Sequence, residues 1–314
     1  MDRVNMTQAE HKLDRRIGMV SARLEHLLRI ESYGLQRIEL VILHREEEQA
    51  TREVLKRMGA EISVHCPLFR DCGLDDYPLH ASVFDTDEER RRRSLALMER
   101  ELVQAAELGA RHLVVHLQRA VGVLDEPVPP GWTEERALDV ATEGALRLVE
   151  VARRVGVPLH FENMMGQPLL CRPEHYMALM EALPPDMASI CLDVGHAAFD
   201  GAKYGFEVEE FARSLAPRIG SLHVYNNQVD SDFDFATLRE EGRLRKFPAH
   251  PDHDAEAGWI DLERVLGAVL ATNPEALVTF EVYFSLDVDR EVTREGLEWI
   301  ERVCRKWWPE DRTS

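Results

Sequence analysis

The chain has 314 residues, of which 38 are Lys or Arg and 57 are Asp or Glu, so its formal net charge is −19. This acidity argues against broad contacts with nucleic-acid backbones or anionic membranes, which require basic surfaces. Five cysteines without a CxxC spacing argue against a disulfide framework and fit a reducing compartment. No apolar run approaches the roughly 18 residues of a membrane helix, and residues 1–14 lack an apolar signal core. We therefore expect a soluble, cytoplasmic protein with a flexible leader at residues 1–14.

Eight short apolar runs, each typical of a buried strand, recur along the chain. They are residues 17–20, 37–43, 61–65, 112–116, 158–162, 189–194, 221–225 and 277–283. Amphipathic segments of helical period follow them at 21–33, 45–58, 86–108, 134–155, 173–182, 207–216, 261–272 and 291–306. This alternation predicts parallel strands joined by right-handed crossovers.

Eight such repeats predict an α/β fold made of a single (β/α)8 TIM barrel over residues 15–314. A doubly wound sheet would also accommodate eight strands, but no GxGxxG phosphate loop follows the first strand. Three of the linkers that follow strands are long, at 66–85, 117–133 and 224–260. Because a barrel carries its active site among its βα loops, we expect the functional site at that end.

Ionisable side chains occur near the carboxyl ends of six consecutive predicted strands. They are His65, His116, Glu162, Asp193 with His196, His223 and Glu281. No Lys or Arg lies at these strand ends, and carboxylates packed together without a positive partner would repel one another. A divalent cation would neutralise them; imidazole and carboxylate ligands favour Zn²⁺ or Mn²⁺, with Co²⁺ or Mg²⁺ as alternatives. The pattern therefore predicts a metal site at the mouth of the barrel.

Strand alternation assigns faces to the neighbours of these residues. Glu162 faces the site, so Phe161 faces the helices and His160 lies one layer deeper in the barrel. Asn163, just past the strand end, is free to reach a substrate oxygen. Glu39 lies within the second strand, where it either hydrogen-bonds a metal ligand or is a satisfied interior carboxylate. The sequence leaves both readings of Glu39 open.

Residues 15–306 resemble the xylose isomerase-like TIM-barrel superfamily, which includes sugar isomerases and epimerases and an endonuclease IV branch. The motifs that carry the resemblance are FEN at 161–163, LDVGHAAFDG at 192–201, SLHVYNN at 221–227 and FEVY at 280–283. The sugar branch implies one metal held by Glu162, Asp193, His223 and Glu281. It also implies that Glu162 and Glu281 exchange the α-proton of a sugar or polyol-like substrate in carbohydrate metabolism.

The endonuclease branch implies extra ligands for a three-metal site, and His65, His116 and His196 stand at the matching places. The third metal of that branch needs an Asp-x-His pair, whereas Asp252 and His253 are adjacent here. These histidines, together with Asn163, are therefore candidates for additional metal or substrate binding.

Three alternatives to an isomerase or epimerase stay open at this point. They are a metal-dependent hydrolase with two or three metals, a lyase or dehydratase on the same barrel, and a non-catalytic ligand-binding barrel. We expect a small-molecule substrate and no nucleic-acid or membrane partner. The sequence does not name the substrate, the metal or its number, or decide whether the chain forms a homo-oligomer.

Overall fold

Eight parallel strands close into a barrel in the order in which they occur along the chain. This is a computed structural model, which describes residues 12–72, 81–119, 128–165, 168–229, 255–281 and 290–308. The strands are β1 Ile17–Ser21, β2 Arg37–Leu40, β3 Glu61–His65, β4 Leu113–His116, β5 Leu159–Glu162, β6 Ala188–Asp193, β7 Ile219–Val224 and β8 Leu277–Phe280. The predicted single (β/α)8 barrel is confirmed.

Helices alternate with the strands and cover the outside of the barrel. They are α1 Leu24–Glu31, α2 Glu48–Met58, α3 Glu88–Glu107, α4 Glu134–Val155, α5 Pro173–Ala182, α6 Val194–Tyr204, α7 Val208–Leu215, α8 Leu262–Leu270 and α9 Arg290–Cys304. The longest helix of the described residues, α4, begins at a Thr133 cap that accepts a hydrogen bond from the Arg136 backbone amide and ends at Gly156 in the left-handed conformation. In the described parts of the chain, no helix is long and apolar enough to cross a bilayer.

The second predicted strand, 37–43, extends too far at its carboxyl end, since the observed strand stops at Leu40. The eighth, predicted at 277–283, stops at Phe280, and residues 282–283 lie outside the described residues. The apolar residues beyond Leu40 are nevertheless buried, because the chain there packs beside the loop after β3, with the Ile42 amide donating to the Pro67 carbonyl. An apolar run alone does not distinguish this packed loop from a strand.

The segment after β6 forms a helix, α6, that the helical period did not predict. Its first residue, Val194, follows directly on Asp193, whose side chain caps the helix by accepting a hydrogen bond from the His196 amide. The helix ends at Gly205, which has a φ of 77°. The segment is short, contains two glycines and is buried over Val194–Gly201, so it has no long run of exposed polar residues such as the one that marks α4.

Polar side chains fill part of the barrel interior. Hydrogen bonds join strands that are not neighbours in the sheet, such as Arg37 in β2 to Thr279 in β8 and His160 in β5 to Ser221 in β7. Such bonds can form only across the lumen, so these side chains point inward. The apolar core lies instead between the outer face of the barrel and the helices.

Candidate metal centre

Four side chains from the last four strands converge at the mouth of the barrel. Glu162, Asp193, His223 and Glu281 each offer a ligand atom, and these atoms all lie within 4.8 Å of one another. Glu162 and Asp193 are the last residues of β5 and β6, His223 precedes the last residue of β7, and Glu281 follows β8. All four are at most 5% exposed. Parallel strands bring their carboxyl ends to one rim, which places residues from distant parts of the sequence together.

Asp193 uses its two carboxylate oxygens differently. Oδ1 accepts a hydrogen bond of 2.6 Å from the His196 amide at the start of α6. Oδ2 is buried without a hydrogen-bond partner. One oxygen thus holds the helix, while the other is available to a ligand.

Asn163, expected from the sequence to be free to reach a substrate oxygen, hydrogen-bonds the backbone of Asp193. Its Oδ1 accepts a hydrogen bond of 2.7 Å from the Asp193 amide, and its Nδ2 donates one of 2.9 Å to the Asp193 carbonyl. The side chain is 2% exposed. Both ends of the amide thus contact the backbone of Asp193, which is within reach because β5 and β6 are neighbours and Asn163 follows the end of β5.

His223 has one imidazole nitrogen on each side of the site. Its Nδ1 lies 3.4 Å from Glu162 Oε1 and 3.7 Å from Glu281 Oε2. Its Nε2 lies 2.7 Å from Glu39 Oε1, deeper in the barrel. The structure therefore places Glu39 in direct contact with a member of the four-residue group.

Two further histidines surround the other oxygen of Glu162. His65 Nε2 lies 2.8 Å and His116 Nε2 3.3 Å from Glu162 Oε2. Together these three residues form a second group with ligand atoms within 4.8 Å of one another. His196 lies at the edge of the site, with Nδ1 3.0 Å from the Asn163 carbonyl and 3.5 Å from Asp193 Oδ2. His253 lies outside the described residues.

The carboxyl groups have opposite protonation tendencies. Burial favours a raised pKa at Glu162, but the imidazoles of His223, His65 and His116 outweigh it and hold the pKa well below its usual range. Burial, reinforced by the carboxylates of Glu281 and Glu162, raises the pKa of Asp193 well above its usual value. The site therefore resists carrying three carboxylates in their ionised forms unless positive charge is added.

The side chains fit a divalent cation. Asp193 Oδ2 and Glu281 Oε2 are buried and have no hydrogen-bond partner. Among the described residues, the ion pairs to Glu162, Asp193 and Glu281 come from histidines and not from Lys or Arg. A set of three carboxylates and one imidazole is suited to Zn²⁺, Mn²⁺, Co²⁺ or Mg²⁺. Added positive charge would remove the repulsion that raises the pKa of Asp193.

Sequence reasoning missed part of the polar layer beneath the site. His112 stacks on His160 with ring centroids 3.9 Å apart, and Arg37 is fully buried. The spacing of these residues could have revealed them, because residues separated by an even number along a strand share one face. His112 stands four residues before His116, and Arg37 stands two before Glu39. His112 immediately precedes β4, far from the carboxyl end of the strand at which candidate site residues were sought.

Comparison with known proteins identifies the family to which the fold corresponds. The family model described as a xylose isomerase-like TIM barrel matches residues 27–303. No curated protein matches the sequence at a significant level.

Many solved structures share the fold. A D-tagatose 3-epimerase-like protein is 18% identical with a TM-score of 0.66, over 92% of this chain and 98% of that chain. An L-ribulose 3-epimerase is 16% identical with a TM-score of 0.65, over 92% of this chain and 94% of that chain. The IolI protein, in a structure with a zinc atom, is 14% identical with a TM-score of 0.65, over 93% of this chain and 99% of that chain. At these identities the likeness establishes the fold alone.

Proposed function

This chain belongs to the xylose isomerase-like TIM barrel family, and we propose that it is a metal-dependent isomerase or epimerase of a sugar or a related hydroxy-ketone. The observation that carries the proposal is the buried group of Glu162, Asp193, His223 and Glu281. It contains two glutamates from strands on different sides of the rim, as a reaction that removes and returns a proton requires. The epimerases among the solved structures of the same fold support a sugar as substrate.

A divalent cation held by these four side chains would polarise the substrate carbonyl and lower the pKa of the adjacent C–H bond. We further propose that this cation is Zn²⁺ or Mn²⁺, with Co²⁺ or Mg²⁺ as alternatives. The mixed imidazole and carboxylate donors support this choice, as does the zinc atom in the IolI structure.

The two glutamates exchange the proton. Glu162 takes or gives it on one side of the reacting carbon, and Glu281 acts on the other. Return of the proton to the same carbon from the opposite face gives epimerisation, whereas return to the neighbouring carbon gives aldose–ketose isomerisation. His65 and His116 contact Glu162 Oε2 and orient this carboxylate, while Asn163 and the cap on α6 fix Asp193.

Proton exchange in D₂O tests this proposal directly. The purified protein is stripped with a chelator and assayed by NMR for deuterium incorporation into a panel of ketoses, free and phosphorylated. We expect exchange to disappear on chelation and to return when a divalent cation is added back. Exchange that survives complete removal of metal would contradict the proposal. Analysis of the products separates epimerase, isomerase and lyase or dehydratase activity.

A metal-dependent hydrolase is the second candidate. It is favoured by the group of His65, His116 and Glu162, whose ligand atoms would suit an additional cation. Elemental analysis distinguishes the two functions, because about one metal per chain supports the isomerase and two or three support hydrolysis of a phosphodiester. The net charge of −19 supports a small-molecule substrate over a nucleic acid.

A further inference from the structure

Glu39 reaches across the barrel lumen to His223. It lies in β2, whereas His223 lies in β7, and Glu39 Oε1 is 2.7 Å from His223 Nε2. Both residues are 0% exposed, so water does not compete for this hydrogen bond. Because a carboxylate accepts hydrogen bonds, the short contact requires a proton on His223 Nε2.

The other oxygen of Glu39 is also held. Ser63, which is paired with Glu39 in the register of β2 and β3, donates a hydrogen bond of 3.0 Å to Oε2. His112 Nε2 lies 3.8 Å from the same oxygen. The carboxylate is thus fixed from the β3 side, and its Oε1 is aimed at the imidazole.

The opposite edge of the same imidazole faces the metal centre. Nδ1 of His223 lies 3.4 Å from Glu162 Oε1 and 3.7 Å from Glu281 Oε2. A neutral imidazole has one N–H and one nitrogen lone pair, so a proton held on Nε2 leaves the lone pair on Nδ1. A 180° flip of the ring would put Cε1 in place of Nε2 and break the bond to Glu39.

We propose that Glu39 is a positioning residue that holds the proton on His223 Nε2 and thereby presents Nδ1 as the metal-binding atom. This inference rests on the proposed function, because it assigns a role to Glu39 at the same metal centre. Carboxylate partners of metal-binding histidines fix the ring and increase its basicity, and their loss lowers metal affinity by about 10-fold to 100-fold. A carboxylate that only filled the barrel would have no such effect.

The test compares Co²⁺ affinity, measured by competition with a coloured chelator, in the wild type and three variants. In Glu39→Gln the side chain keeps its size, but its amide does not dictate which nitrogen carries the proton. We expect Co²⁺ to bind this variant about 10-fold to 100-fold more weakly. Ser63→Ala is the matched control: it removes a bond to Glu39 but leaves the bond to His223, and we expect a much smaller change. Glu39→Asp, which withdraws the carboxylate by one methylene, serves if Glu39→Gln does not fold.

A second measurement separates positioning from structural support. Spectra of the Zn²⁺-loaded protein, labelled with ¹⁵N in histidine, report which nitrogen of His223 carries the proton, with His223→Asn used for assignment. We expect a single Nε2–H signal in the wild type and its weakening or loss in Glu39→Gln. Unchanged Co²⁺ affinity and an unchanged Nε2–H signal in a folded Glu39 variant would overturn the inference while leaving the proposed function intact. A wild type that binds no Co²⁺ at this centre, judged against Glu162→Gln, would overturn both.

Discussion

Asn163 and Asp193 form a closed pair of hydrogen bonds in which the side-chain amide of one residue satisfies both backbone groups of the other. Asn163 Oδ1 accepts from the Asp193 amide at 2.7 Å, and Asn163 Nδ2 donates to the Asp193 carbonyl at 2.9 Å. Asp193 also begins α6 as its cap. The pair therefore fixes the backbone from which the Asp193 carboxylate projects into the candidate metal centre.

Replacement of Asn163 by Ala should destabilise the protein and weaken metal binding together. The change leaves the buried amide of Asp193 without its Asn163 Oδ1 partner, which costs about 1–3 kcal/mol. Urea unfolding measures the stability, and Co²⁺ competition measures the affinity. A variant that loses stability but keeps wild-type Co²⁺ affinity would show that the pair supports the fold without positioning Asp193.

Glu162→Gln should abolish metal binding and proton exchange while the fold remains. The amide keeps the size of the carboxylate but removes the negative charge around which His65, His116 and His223 are arranged. Loss of a residue that hydrogen-bonds a metal ligand lowers metal affinity by up to roughly 100-fold. We expect the Co²⁺ affinity of Glu162→Gln to fall by more than this, because Glu162 is itself a proposed ligand. Circular dichroism and elemental analysis check the result. Unfolding of this variant with retention of bound metal would mean that Glu162 has a structural role.

Gly195→Ala should disturb the start of α6. A Cβ at Gly195 would lie 2.1 Å from Tyr225 Cζ, so the Tyr225 ring or the helix must move. We expect a loss of about 1–3 kcal/mol in the free energy of unfolding, typical of overpacking. Gly296→Ala in α9 is the matched control, because its Cβ would make an ordinary contact of 3.4 Å with Phe280. Comparable stabilities for the two variants would contradict the prediction.

Glu101 should make the stability of the protein depend on pH. This residue of α3 is 3% exposed, and its Oε2 accepts a hydrogen bond of 2.8 Å from the Leu68 amide. Burial raises the pKa of Glu101 from 4.5 to about 7. A raised carboxyl pKa means that the folded protein holds the proton more tightly than the unfolded chain. Its stabilising contribution is therefore complete below pH 4.5 and is lost as the pH rises through about 7.

Glu101→Gln removes this titration while its Oε1 can still accept from the Leu68 amide. Between pH 4.5 and pH 8 we expect the wild type to lose about 3 kcal/mol more stability than the variant. Urea unfolding at several pH values measures the difference. Glu107→Gln, at an exposed position of the same helix, should follow the wild type. Parallel pH profiles for wild type and Glu101→Gln would contradict the assignment.

The repeated pattern of strand and helix was enough to predict the barrel and the end of it that carries the candidate site. Hydrophobic periodicity repeats locally, and parallel strands with crossovers have few alternative arrangements. Because Glu162, Asp193 and Glu281 stand at the ends of apolar runs, their side chains could be expected to lie close together at the rim of the barrel. The pattern failed at α6, a short helix with two glycines that is buried over Val194–Gly201 and follows β6 without a linker.

By itself, then, the sequence determined the (β/α)8 fold and the chemical types of the side chains at its mouth. Only the tertiary structure decided that Asn163 hydrogen-bonds the backbone of Asp193 and that Glu39 contacts His223 across the lumen. It also decided that Nδ1 of His223 is the nitrogen that faces Glu162. These contacts depend on the tilt and stagger of strands that are distant in sequence, which the closure of the barrel sets and local periodicity does not encode.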